Sequence, residues 1–85
     1  MMSSNELTKL TPDKEIDARG VACPGPLLEA KRGITGVPIG GVIVVLSSDA
    51  STVADLPRWA AKIGHEYLGT VVDAGFWRLF VKRGK

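Results

Sequence analysis

The sequence predicts an α/β fold, a two-layer sandwich in which a mixed four-stranded sheet carries two helices on one face. Three observations indicate this class. The β-branched run from Gly41 to Ser47, "GVIVVLS", is typical of a strand buried on both sides. A segment with helical apolar periodicity precedes this run and another follows it. After the second, two alternating runs separated by Asp73-Ala74-Gly75 predict a hairpin with a three-residue loop.

The N-terminal part of the chain divides into a tail and an edge strand. Residues 1–12 are polar and end in Thr11-Pro12, so we expect a flexible tail followed by a single domain over residues 13–85. Lys14–Ala18 then predicts a short strand, which Arg19-Gly20 ends.

The first predicted helix spans Pro24–Thr35, and its apolar side chains recur at i, i+3 and i+7: Leu27, Ala30 and Ile34. The second predicted helix has an apolar stripe formed by Val53, Leu56, Ala60 and Ile63. Thr52 and Asp55 have the spacing of a capping box. Pro57 falls within the stripe, so we expect a break near Leu56 and a regular helix from about Pro57 to Ile63.

Strands are predicted over His65–Val72 and Phe76–Val81, which completes the order β-α-β-α-β-β. Helices of about ten residues between the early strands favour parallel crossovers, and the hairpin adds an antiparallel pair.

Composition excludes several classes of protein. At 85 residues the chain is one domain, and its net charge of +2 is too small to indicate a nucleic-acid partner. The longest apolar run, Val42–Leu46, is far shorter than a membrane span. The N-terminus has no apolar signal region and the single cysteine cannot form an internal disulfide, so we expect a cytoplasmic protein.

The single cysteine, Cys23, stands in "ACPGP" directly before Pro24. A residue before proline is pushed into the extended backbone that an N-cap needs, which predicts Cys23 as the N-cap and Pro24 as the first helical residue. Gly25 can turn into the helix before Pro26 because it lacks a Cβ. The sulfur would then face the Gly25 N–H and the positive end of the helix dipole, which stabilises a thiolate.

The chemistry of this thiol is limited by the residues around it. There is no second cysteine to resolve a disulfide, and one histidine, His65, gives no support for a metal cage. His65 follows a predicted helix end and is expected to be structural or on the surface rather than catalytic, and no metal or cofactor is expected. What remains is a thiolate that could carry a group by exchange at sulfur.

The stretch Ile16–Arg32, "IDARGVACPGPLLEAKR", resembles the signature of the TusA/SirA-like sulfur-carrier family: a Leu/Ile-Asp, a glycine three residues before the cysteine (Gly20), and Cys-Pro-x-Pro. Ser48–Glu66, "SDASTVADLPRWAAKIGHE", matches a second block of that family. The resemblance covers about Ile16–Val81, and the family has the β-α-β-α-β-β fold predicted above.

The resemblance implies that Cys23 accepts a persulfide sulfur from a cysteine desulfurase or a rhodanese-type sulfurtransferase. The carrier would pass it to a downstream acceptor protein in tRNA thiolation, molybdenum cofactor maturation or sulfur oxidation. The family's two motif prolines correspond to Pro24 and Pro26. Such a chain is a sulfurtransferase-type carrier rather than a stand-alone enzyme, and we expect a monomer when it is free. Partner docking is assigned to the nearby charges Arg19, Lys31 and Arg32, which would orient acidic surfaces.

An alternative hypothesis is a small regulatory or nucleic-acid-binding module in which Cys23 is incidental. Four cations lie on the last strand and tail, with the aromatic residues Trp77 and Phe80 close to them in sequence: Arg78, Lys82, Arg83 and Lys85. Such a set could contact phosphates and bases.

Overall fold

The computed structural model describes residues 2–22 and 24–85. Its helices and strands are α1 (Ser4–Thr8), β1 (Lys14–Asp17), α2 (Gly25–Ile34), β2 (Val42–Ser47), α3 (Ala50–Ile63), β3 (Glu66–Asp73) and β4 (Phe76–Lys82). From β1 onward this is the predicted order. No helix within the described ranges is both long and apolar enough to cross a membrane.

Strand β2 is central because it pairs on both sides. The sheet order is β1-β2-β4-β3, with β1 parallel to β2 and the other two pairs antiparallel. Every residue from Ile43 to Ser47 is buried, as the β-branched run predicts. Strand β1 is an edge strand, also as predicted, and the sheet is mixed and four-stranded.

Helices α2 and α3 pack on one face of the sheet, which confirms the predicted layer. The core between these helices and the sheet contains Ile16, Ile43, Val45, Leu79 and Val81 from the strands and Ala30, Ile34, Leu56 and Ala60 from the helices. Because β1 and β2 are parallel, each following helix begins at the edge where these two strands end. The loops after β1 and β2 therefore meet at one end of the molecule.

Helix α1 lies in the segment predicted as a flexible tail, and it forms a third structural layer. A capping box between Ser3 and Glu6 starts the helix. Leu7 is 1% exposed and packs on the opposite face of the sheet, against a second core that includes Val44, Leu68 and Phe80. The prediction of a flexible tail rests on the mostly polar composition of this segment. It does not account for the burial of Leu7, which holds the helix against the sheet.

A bulge in β3 makes room for α1. The pairing of β3 with β4 shifts between Tyr67 and Gly69, and Gly69 has a φ of +146°. A Cβ at Gly69 would lie 2.8 Å from Leu7 Cδ1, so only glycine allows this close approach. The Met2 N–H also donates to the Leu68 carbonyl at 2.7 Å.

The predicted break in the second helix is wrong. Helix α3 continues from Ala50 to Ile63 with Pro57 inside it, and its N-cap is Asp49, which accepts from the Ser51 N–H, instead of Thr52. Leu56 and Ala60, both fully buried, hold the helix on the sheet on either side of Pro57. Their burial offsets the backbone hydrogen bond that proline removes.

The hairpin between β3 and β4 is tighter than predicted. Asp73 pairs with Phe76, so the loop has two residues, Ala74 and Gly75. The Asp73 carboxylate accepts from the Ala74 N–H at 2.8 Å, which holds Asp73 at the strand end.

Candidate functional site

The loop between β1 and α2 carries Cys23, which lies outside the described residues. The position of its sulfur is therefore not described, but the predicted N-cap role of Cys23 is wrong, because the N-cap of the following helix is Pro24. Its two neighbours in sequence, Ala22 and Pro24, are both exposed. The chain thus reaches the surface on each side of position 23, at the end of the molecule where the loops after β1 and β2 meet.

Helix α2 begins one residue later than predicted. Pro24 is the N-cap, with φ −92° and ψ 14°, and Gly25 is the first helical residue. The Gly25 N–H donates to the Ala22 carbonyl at 2.9 Å, which closes a turn around Pro24 before the helix starts. The prediction that this N–H is free to face the sulfur is therefore wrong.

Glycine at position 25 also has a packing reason that the sequence does not reveal. A Cβ there would collide with Cγ1 of Val21, on the preceding loop. Gly25 therefore lets the loop fold back closely against the first turn of α2. Pro26 follows it and is buried, so this first turn is anchored on the helical face of the core.

A hydrogen bond joins the two loops that meet at this end. The Gly20 N–H donates to Ser48 Oγ at 2.8 Å, although 28 residues separate them. A cleft of about 350 Å³ opens beside this bond, lined by Gly20–Ala22 of one loop and Ser48–Ala50 of the other. The sequence motif predicts Gly20 as a site residue but not Ser48. The signal was the parallel pairing of β1 and β2, which brings their following residues together.

Arg19 forms a fork with Asp17. Arg19 Nε donates to Asp17 Oδ1 at 2.9 Å, and the second guanidinium contact, from Nη2 to Oδ2, is 2.7 Å. These side-chain hydrogen bonds lower the pKa of Asp17 from its ordinary 3.8 to about 2. The Arg19 guanidinium also lies 4.8 Å from the ring centre of Phe76. Arg19 is thus a fixed charge at the base of the loop that carries Cys23.

Two apolar side chains near the start of α2 are open to solvent. Val21 is 44% exposed and Leu28 is 52% exposed. Leu28 lies one turn from the start of α2, and its N–H donates to the Pro24 carbonyl. Neither residue is predicted from the sequence, because residue type alone does not distinguish an exposed apolar side chain from a buried one.

The other two predicted docking cations lie farther along α2. Lys31 and Arg32 are in its last turn, so about 9–10 Å of helix separates them from Gly25. Arg32 Nη1 lies 3.6 Å from Glu29 Oε1 in an exposed ion pair. Lys31 borders a different cavity at the far end of the helix. The structure brings Arg19, but not these two, to the loops at the Cys23 end.

His65 has the structural role that the sequence predicts. It is 9% exposed, and its Nδ1 accepts from the Gly84 N–H at 3.0 Å. Burial, with smaller contributions from the charges of Arg83 and Lys85, lowers the pKa of His65 below its ordinary 6.5. It borders the far end of the helical layer, away from the loops that meet beside Gly20.

Metal ligation has no candidate within residues 2–22 and 24–85, where no group of three His, Asp or Glu side chains could hold an ion. The exposed loop pair can present a reactive side chain to another molecule. Among the nearby carboxylates, Asp17 is held by Arg19, and Asp49 lines the cleft between the two loops.

A sequence profile described as "Sulfurtransferase TusA" matches residues 14–83. A candidate sulfur carrier protein of Archaeoglobus fulgidus is 44% identical over 70 residues, which cover 82% of this chain and 96% of the relative. The sulfur carrier protein TusA of Pseudomonas putida strain GB-1 is 32% identical over 77 residues, covering 91% of this chain and 96% of the relative.

A solved structure shares the fold. The crystal structure of a SirA-like protein from Desulfitobacterium hafniense matches with a TM-score of 0.74 and 27% sequence identity. The match covers 85% of this chain and 99% of that one. The likeness therefore extends over most of this chain and nearly all of the other.

Proposed function

The chain belongs to the TusA family of sulfurtransferases and is a sulfur carrier protein, and from that premise we propose that Cys23 is the residue that carries the sulfur. One observation supports this assignment above the others. Carrying sulfur as a persulfide needs a thiol, the chain has a single cysteine, and that cysteine lies inside the matched residues 14–83.

The proposed reaction is two successive exchanges at sulfur. The Cys23 thiolate attacks the outer sulfur of a donor persulfide, R–S–SH, forming Cys23–S–SH as the donor sulfur–sulfur bond breaks and R–S⁻ leaves. An acceptor thiolate then attacks the outer sulfur of Cys23–S–SH and releases the Cys23 thiolate. The proton stays with the transferred sulfur, and no external oxidant or reductant is consumed.

The described residues around the loop support such a handover. Ala22 and Pro24 are exposed, so a partner can approach from outside, and the cleft beside Gly20 and Ser48 has room for a partner's reacting group. The turn closed by the Gly25 N–H and the bond from Gly20 to Ser48 hold the two ends of the loop. We assign Gly20, Pro24, Gly25 and Pro26 to this support, which lowers the cost of ordering the loop on binding.

A sulfur carrier needs both a donor and an acceptor partner. We propose a cysteine desulfurase or a rhodanese-type enzyme as donor and a thiol-bearing protein as acceptor, met by a monomeric carrier in the cytoplasm. The exposed Val21 and Leu28 supply an apolar contact beside the loop, and Arg19 supplies a fixed charge. Lys31 and Arg32 remain part of the proposed docking set, as outer charges that steer acidic partners.

Intact mass spectrometry tests the assignment of Cys23. After incubation with a cysteine desulfurase and cysteine, the wild-type mass should rise by one sulfur atom, and dithiothreitol should reverse the rise. Cys23→Ser is the matched control and should gain nothing. A wild-type mass that stays unchanged with several competent donors would contradict the proposal.

A charge-reversal variant tests the docking set separately. Lys31→Glu with Arg32→Glu should slow sulfur transfer at low salt and reduce its salt dependence, because outer charges chiefly change association rates. Lys9→Glu, on the opposite face of the sheet, is the control with one altered surface charge. Transfer that keeps the wild-type rate and salt dependence would remove Lys31 and Arg32 from the interface.

The alternative of a nucleic-acid-binding module receives no support from the arrangement of β4. Trp77 packs with the core under α2 and α3, whereas Phe80 is buried in the core under α1, so the two rings lie on opposite faces of the sheet. They cannot form one stacking platform. The Arg83 guanidinium donates to the Val37 carbonyl, so it is engaged within the protein.

A further inference from the structure

A second cavity, of about 360 Å³, lies at the far end of the helical layer from the loop that carries Cys23. Helices α2 and α3 both begin near that loop, and the cavity is bordered by residues from the last turn of each. Helix α2 has ten residues, so the cavity is about 15 Å from its first residue. This distance separates the cavity from the proposed sulfur-transfer site.

The walls of this cavity are mainly apolar. Ile34 closes it from α2, and Trp59 and Ile63 close it from α3. Ile63 is 44% exposed, so part of this apolar surface is in contact with water. The Trp59 ring lies 5.3 Å from the His65 ring, in a tilted arrangement. Together these side chains offer dispersion contacts and an aromatic face to a small apolar group.

The charged residues that line the cavity are all cations: Lys31, Arg83 and Lys85. Arg83 is already engaged, since Nε donates to the terminal carboxylate of Lys85 at 2.7 Å and Nη1 donates to the Val37 carbonyl at 2.6 Å. The charges of Arg83 and of this carboxylate therefore offset each other. Lys31 and Lys85 form no ion pair within the described ranges. Once Arg83 and the terminal carboxylate are counted as a pair, two ammonium groups remain, those of Lys31 and Lys85. The C-terminal ends of α2 and α3 contribute about half a negative charge each, so the net charge at the cavity is positive.

His65 completes the wall without adding charge near neutral pH. Its Nδ1 accepts from the Gly84 N–H, which assigns the proton of the neutral ring to Nε2. The same bond ties the segment that carries Arg83 and Lys85 to the start of β3. The cationic side of the cavity is therefore held in place relative to its apolar walls.

We propose that this cavity binds a small organic anion, a carboxylate attached to an apolar planar body. The volume is near the lower limit of small-molecule sites, which suits a body of about two fused rings. The apolar walls would contact the planar body, and the ammonium groups of Lys31 and Lys85 would bind the carboxylate. This inference does not depend on the assignment of Cys23.

Nuclear magnetic resonance with three matched probes tests the proposal on the whole chain: 2-naphthoate, the neutral 2-naphthylmethanol and the cationic 2-naphthylmethylamine. The indole N–H signals of Trp59 and Trp77 are followed during each titration, because Trp77 does not line the cavity. We expect 2-naphthoate to shift the Trp59 signal saturably and leave the Trp77 signal in place. The neutral probe should bind several-fold more weakly and the cationic probe more weakly still.

Lysine variants separate the charge contribution from general apolar binding. Lys85→Gln and Lys31→Gln should each weaken 2-naphthoate binding about two- to fivefold, the range expected for an exposed charge pair. Lys9→Gln, on the opposite face of the sheet, should leave the binding unchanged. The neutral probe should bind all of these variants equally.

Three outcomes would overturn the proposal. The first is an unshifted or unsaturable Trp59 signal with 2-naphthoate, and the second is equal affinity for the three probes. The third is a Trp59 response to an acidic peptide containing phenylalanine but not to 2-naphthoate, which would assign the cavity to a segment of a protein partner.

Discussion

The Gly20 N–H donates a hydrogen bond of 2.8 Å to Ser48 Oγ, and this bond links the loop after β1 to the loop after β2. It is one of the contacts that position the loop carrying Cys23. The bond spans two segments that only the parallel pairing of β1 and β2 brings together.

Ser48→Ala removes the acceptor of this bond. We expect a loss of about 0.5–1.5 kcal/mol in the free energy of unfolding, the usual net value of one hydrogen bond. Sulfur acceptance should slow severalfold because the loop loses one fixed end. Ser51→Ala is the matched control, since the Ser51 hydroxyl forms no hydrogen bond within the described residues. Equal transfer rates in Ser48→Ala and Ser51→Ala would show that the bond does not position the loop for transfer.

Leu7→Ala tests whether the N-terminal segment is part of the folded domain. Leu7 is 1% exposed, so its truncation should lower the free energy of unfolding by about 2–4 kcal/mol in chemical denaturation. The exposed Thr8→Ala in the same helix should change it by less than about 0.5 kcal/mol. If both variants unfold like the wild type, residues 1–12 are the flexible tail that their composition predicts.

Arg19→Met should release the carboxylate of Asp17. In the wild type the pKa of Asp17 is about 2, because the Arg19 side chain donates to both carboxylate oxygens. Removing the guanidinium should raise this pKa toward the ordinary 3.8, as followed by the carboxyl ¹³C shift during an acid titration. The stabilising effect of this pair is present above pH 3.8 and is lost as the pH falls to about 2. A pKa that stays near 2 in Arg19→Met would show that the backbone N–H alone holds it.

His65 should make the stability of the protein depend on pH below neutrality. Its pKa is lowered in the folded state, so its contribution is complete above about pH 6.5 and is lost as the pH falls through the folded pKa. His65→Asn keeps an acceptor for the Gly84 N–H but cannot titrate. Because the chain has one histidine, the variant should show a flatter stability profile as the pH falls below about 6.5 in urea unfolding. Superimposable slopes for both proteins would contradict the burial argument.

Pro57→Ala should stabilise the protein. Pro57 lies inside a continuous helix, where its missing N–H leaves one backbone hydrogen bond unmade and destabilises the folded state. Proline also lowers the conformational entropy of the unfolded chain, which offsets part of this destabilisation. The net gain is expected to be about 1–2 kcal/mol in chemical denaturation. Pro38→Ala, in the loop before β2, should bring no such gain. A loss of stability in Pro57→Ala would mean that its ring makes packing contacts worth more than the missing bond.

Much of the fold could be predicted because its signals are local. The apolar periodicity of Leu27, Ala30 and Ile34 predicts the buried face of α2, and the β-branched run predicts the central strand β2. The break expected at Pro57 is wrong, because that expectation considers only the backbone hydrogen bond that proline removes. Burial of Leu56 and Ala60 on either side of Pro57 stabilises the helix, and this burial depends on the tertiary structure.

The sequence by itself determined the order of strands and helices from β1 onward, the family and the presence of a single thiol, because these depend on residue type and spacing. The tertiary structure alone decided that Leu7 docks a helix on the second face of the sheet and that Ser48 bonds Gly20. It also placed Trp59, Lys31 and Lys85 around one cavity. Each of these relationships joins residues distant in the chain. Their contact depends on the order and register of the strands and on the bulge in β3, which no local pattern encodes.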